Sequence, residues 1–86
     1  MGRSRLLIKP LAVKDIEAIP LKRERQRVVE RISKLAEDPR PVGSEKISGQ
    51  DKYRVRQGRY RILYAIEDQD LLVHVVKVGS RKDVYR

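Results

Sequence analysis

Tyr53-Arg54-Val55-Arg56-Gln57-Gly58-Arg59-Tyr60-Arg61-Ile62-Leu63-Tyr64 is the stretch on which the fold turns. Aromatic or branched residues alternate with polar ones on either side of Gly58-Arg59, the period of a strand with one wet face. A two-residue turn with Gly first closes a hairpin whose twist suits its strands. With Gly58-Arg59 as that turn, Gln57 pairs with Tyr60, Arg56 with Arg61, Val55 with Ile62 and Tyr53 with Tyr64. Alternate residues share a face. Tyr53, Val55, Tyr60, Ile62, Tyr64 and Ile66 therefore line one face, assigned to the core, and Arg54, Arg56 and Arg61 line the other.

Downstream, the strand from Tyr60 runs to Glu67, Asp68-Gln69-Asp70 is a turn, and Leu71 to Gly79 is a last strand. A symmetric turn at Asp68-Gln69 puts Leu71, Val73 and Val75 on the core face. Leu63, Ala65, Leu72, Val76 and Val78 then join the arginines, with His74 opposite Leu63. Upstream, Arg5 to Lys9 is a short strand ended by Pro10, which suits the first turn of a helix from Leu11 to Ala18. Ala12, Ile16 and Ile19 form its apolar face, and Pro20 ends it. A longer helix from Leu21 to Glu37 buries Leu21, Val28, Ile32 and Leu35. Asp38-Pro39-Arg40-Pro41-Val42-Gly43 cannot extend it, because each Pro disfavours helical geometry at the residue before. The expected fold is α+β, in the order β-α-α-β-β-β: an antiparallel sheet with an αα-hairpin packed on one face, one domain spanning residues 1–86.

The charge is lopsided, with 21 Lys and Arg against 12 Asp and Glu, a net +9 on 86 residues. Such a body attracts polyanions. A membrane surface is the poorest candidate, since there is no Phe or Trp to anchor a basic helix. No apolar run is long enough to span a bilayer, and the basic start lacks the apolar stretch of a signal peptide. The absence of Cys excludes disulfides and thiolate metal sites and fits a reducing cytoplasm. No His/Asp/Glu spacing suits a metal, and no cofactor is implied. Arg56 directly opposite Arg61, with Arg54 two residues along, opposes like charges across the hairpin, which costs stability. A bound polyanion explains that choice. A solvated sheet face, with Arg stems covering apolar surface, is the plainer alternative. The apolar residues beside the arginines form a patch that calls for a protein partner or for cover by the chain's own tail.

Four segments together resemble the RelE toxins. They are Ile47-Ser48-Gly49, Tyr53-Arg54-Val55-Arg56, Gly58-Arg59-Tyr60-Arg61-Ile62-Leu63-Tyr64, and Val78-Gly79-Ser80-Arg81-Lys82-Asp83-Val84-Tyr85-Arg86. The likeness runs from about Arg5 to Arg86. It implies a toxin of a type II toxin–antitoxin system, a ribosome-dependent endoribonuclease (mRNA interferase) that cleaves codons in the A site. The chemistry implied is metal-free attack of the ribose 2′-hydroxyl on the adjacent phosphorus. Its implied partners are an acidic antitoxin, the ribosome with its mRNA, and operator DNA only through the antitoxin. By position, Arg61, Arg81 and Tyr85 fall on the catalytic set, and Arg54 and Arg56 on the RNA- and phosphate-binding set. Arg61 and Arg81 would stabilise charge at phosphorus. Tyr85 would stack on a base, take the 2′-hydroxyl proton, or simply pack its ring on the sheet.

Many relatives carry Lys at the positions of Arg54 and Arg56, and Arg cannot give up a proton as a shifted Lys can. Phosphate binding without acid–base work is therefore expected of both. Ser80 stands where relatives often have His, which leaves the leaving-group acid unassigned, and His74 is expected to be a partly buried strand residue. Two other functions fit the same chain. One is a non-catalytic poison of DNA gyrase like the ParE branch, which typically lacks the complete terminal Arg and Tyr set. The other is a basic binding module that acts only in a repressor complex.

Overall fold

The computed structural model describes residues 4–49 and 51–80. Along the chain run β1 (Arg5–Ile8), α1 (Pro10–Glu17), α2 (Lys22–Leu35), β2 (Glu45–Lys46), β3 (Lys52–Gln57), β4 (Tyr60–Glu67) and β5 (Leu72–Ser80). The strands form one sheet in the order β1-β5-β4-β3-β2. The meander β2 to β5 is antiparallel, and β1 pairs parallel with β5. The sheet is therefore mixed. The two-residue β2 is a further strand, too short for any alternation to announce it.

Pro10 occupies the first turn of α1, where its missing N–H leaves no hydrogen bond unmade. Both helices lie on one sheet face. Ala12, Ile16, Ile19, Val28, Ile32 and Leu35 meet Val55, Tyr60, Ile62, Tyr64, Val73, Val75 and Val78 in a single core. Leu21 was expected in the apolar stripe of α2 but is 60% exposed, because it sits at the N-cap with extended backbone before the helix begins.

The hairpin at Gly58-Arg59 has the expected register, from Gln57 opposite Tyr60 to Tyr53 opposite Tyr64. Gly58 takes φ +60, the left-handed geometry that a Gly-first turn requires. The turn into β5 differs. Glu67 pairs with Leu72, so four residues, Asp68 to Leu71, make the loop. Leu71 is exposed there with φ +49 instead of facing the core. This two-residue displacement keeps Val73 and Val75 buried, since the side-chain period is two. His74 consequently faces Ala65, not Leu63.

A β-bulge then intervenes. Tyr64 pairs with Val75 but Leu63 with Lys77, leaving Val76 as the extra residue. The single-residue shift turns Val78 into the core, where it is 2% exposed, instead of onto the arginine face. Beyond Ile8, where β1 ends, α1 covers the open edge of β5: the Asp15 carboxylate accepts the Val78 N–H at 3.1 Å. At the other end, Arg40 grips Asp68 with two hydrogen bonds of 3.1 and 3.0 Å and lies over the Tyr53 ring. That guanidinium holds the Asp68 carboxyl below its ordinary range. Tyr64, whose hydroxyl donates to the Pro39 carbonyl at 2.7 Å, has its pKa raised by burial.

Candidate phosphate-binding site

The sheet face away from the helices carries the three arginines. Arg54 and Arg56 project from β3 and Arg61 from β4, because each holds an alternate position on a strand whose other face is core. Together with Gly43, Glu45 and Val55 they line an open recess of about 300 Å³. The guanidinium groups are held differently. Arg56 is exposed, whereas Arg61, its cross-strand partner, is 6% exposed, the one buried charged residue among those described. On its other side Arg61 pairs with Gly79, which has no side chain to compete for the space. Arg54 donates from Nε to Oε1 of Glu45 at 3.1 Å, directly across the β2–β3 pair.

Three permanently charged groups gathered on one face repel one another and attract a polyanion. Each presents a planar fork of donors that matches phosphate oxygens. Glu45 is the sole carboxylate lining the recess, so it partly neutralises the cluster at the Arg54 end. Sequence reasoning did not single out Glu45. A lone acid on a two-residue strand carries no periodic signal, and only the β2–β3 register brings it to Arg54.

Of the expected site residues, Arg54, Arg56 and Arg61 come together, and Arg81 and Tyr85 lie outside the described residues. His74 is a half-buried strand residue whose Nε2 lies 2.6 Å from Glu67 Oε2. It sits opposite Ala65, four residues along β4 from Arg61 and so roughly 13 Å from it at strand rise. It belongs to a different part of the sheet. Leu63, Ala65, Leu72 and Val76 are half-buried on the arginine side. Among the described residues, no three His, Asp or Glu side chains are grouped to hold a metal ion, and no helix is long and apolar enough to cross a membrane.

A family model for the ParE toxin of type II toxin–antitoxin systems matches residues 6–85. Comparison with curated protein sequences gives no match. Among solved structures, the chain is similar to one of the toxin–antitoxin complex RelBE2 from Mycobacterium tuberculosis. The identity is 28%, with 94% of each chain covered and a TM-score of 0.79. It is equally close, at 28% identity and a TM-score of 0.81, to a chain of the archaeal RelE–RelB complex from Pyrococcus horikoshii, over 92% of this chain and 96% of that one. The isolated E. coli RelE toxin shares the fold at 23% identity, with 98% and 92% covered and a TM-score of 0.76. With nearly its whole length matched by the family model, the chain belongs to the ParE toxin family of type II toxin–antitoxin systems, within the RelE/ParE superfamily.

Proposed function

We propose that this toxin is a ribosome-dependent mRNA endonuclease that uses the arginine recess to hold and activate an RNA phosphate. The observation that carries this reading is Arg61, a charged side chain buried on an uncovered sheet face directly opposite Arg56. Burying a charge is costly, and opposing like charges adds to that cost. An anion bound between them offsets both. In the reaction, the ribose 2′-oxygen forms a bond to the adjacent phosphorus and the bond to the 5′-oxygen breaks, leaving a 2′,3′-cyclic phosphate. Negative charge grows on the phosphoryl oxygens as this occurs, and preorganised guanidinium donors stabilise it. Arg61 and Arg81 are assigned that task, Arg54 and Arg56 bind phosphate, and Tyr85 stacks on a base or takes the 2′-hydroxyl proton. The ribosome would position the codon, which supplies much of the rate that a small catalytic set cannot.

The proposed partner is an acidic antitoxin, with operator DNA reached only through it. The net charge of +9 favours such a partner, and the half-buried apolar residues beside the arginines offer it a surface. The two relatives at 28% identity were crystallised in complexes with an antitoxin. The description of the matched family as ParE favours a second reading, a gyrase poison that cuts no RNA.

The two separate in a purified translation system with a defined mRNA, read by primer extension. The wild type is expected to cut within A-site codons only when ribosomes are present. Arg81→Ala is expected to lose about 100-fold or more of that activity, the usual effect of deleting one charge-stabilising donor. Undiminished cutting by Arg81→Ala would refute the assigned site. No cutting by folded wild type would refute the endonuclease, and inhibition of gyrase would then establish the second reading.

A further inference from the structure

The β3–β4 hairpin has a second recess at its tip. It measures about 220 Å³ and is lined by Arg56, Gly58, Arg59 and Arg61. It shares Arg56 and Arg61 with the larger recess and adds Arg59 in place of Arg54 and Glu45. No carboxylate lines it. The electrostatic cost of three neighbouring guanidinium groups is therefore less compensated here than beside Glu45.

Local structure explains why Arg59 is presented. Gly58 at φ +60 makes the sharp turn and leaves Arg59 exposed at the apex. The Arg59 guanidinium lies 5.6 Å from the centroid of the Tyr60 ring. That ring is buried, and its hydroxyl lies 3.4 Å from Glu24 on α2. A cation resting on a fixed aromatic ring retains a preferred direction although it is exposed. Arg59 is two residues from Arg61, roughly 6–7 Å at strand rise.

We propose that the tip recess is a second phosphate subsite, which takes the phosphodiester next to the one held in the main recess, with Arg59 as its own ligand. This rests on the main recess binding RNA phosphate. Arg56 and Arg61 bridge the two subsites, and the strand leaves the sheet over the hairpin tip. Only an RNA long enough to place phosphates in both recesses feels Arg59, whereas a single phosphate is held where Arg54 adds its charge.

The test is an NMR titration at low salt of the folded protein with two RNAs: the dinucleotide UpU, with one phosphate, and the pentanucleotide UpUpUpUpU, with four. Arg59→Ala is expected to weaken the pentanucleotide about 5- to 10-fold, to reduce its log–log salt slope by about 0.7, and to change UpU less than about 2-fold. Arg59→Lys is expected to recover most of the loss. Arg54→Ala, which alters the main recess alone, is expected to weaken both RNAs. Arg23→Ala, an exposed charge on α2, controls for overall charge. If Arg59→Ala matches Arg23→Ala on the pentanucleotide, or weakens UpU equally, the tip subsite is overturned while the main recess stands. If Arg54→Ala also matches Arg23→Ala, phosphate binding in the main recess fails as well.

Discussion

Arg61 is the residue whose energetics most need a ligand. It cannot shed its proton when buried, as Lys or His can, so its 6% exposure has to be compensated by neighbours or by an anion. Glu45 supplies part of the compensation, through Arg54 at 3.1 Å. It is therefore expected to compete with phosphate at that end of the recess. Glu45→Ala should raise the affinity for short RNA about 2- to 3-fold, the effect of removing one opposing charge several ångströms away in a largely aqueous setting. The same titration would show it. Weaker binding in this variant would mean that Glu45 chiefly aligns Arg54 and does not compete with the ligand.

At the scale of elements, the β-bulge in β5 decides which side chains each face receives. Up to Val75 the alternation holds, and beyond Val76 it is inverted, so Val78 is core and Gly79 lies beside Arg61. The hint in the sequence was the pair Val75-Val76, two apolar neighbours that interrupt strict alternation. Adjacent valines occur equally in a strand apolar on both faces, so the hint did not choose between the two. Substitution separates them. Val78→Thr puts a hydroxyl into the core and should cost about 1–3 kcal/mol in a urea melt. Val76→Thr, half-buried outside the core, should cost under about 0.5 kcal/mol. Equal costs would place the bulge elsewhere. The hairpin at Gly58-Arg59 was legible because its turn chemistry and both flanking alternations agree on one register. The four-residue turn before β5 has no such agreement, yet its displacement by two leaves the faces unchanged.

For the whole molecule, the surplus of positive charge governs approach to RNA. Each neutralised phosphate on a single strand releases about 0.7 of a counterion. Contact with three or four phosphates across the two recesses predicts a log–log salt slope on the order of −2 to −3 for a pentanucleotide. Anisotropy of a labelled RNA between 50 and roughly 200 mM salt reads this slope directly. A flat response would rule out an electrostatic interface at this face.

The sequence by itself determined the helices, the meander, the hairpin register and the placing of Arg54, Arg56 and Arg61 on one face. These follow from periodicity and turn chemistry, which act between residues close in the chain. Tertiary structure alone decided that β1 lies parallel to β5, that Glu45 meets Arg54, that α1 caps the β5 edge, and that Arg61 is buried while Arg56 is not. Each of these depends on which distant segments meet and on how much space they leave one another, and a local pattern of residues carries neither quantity.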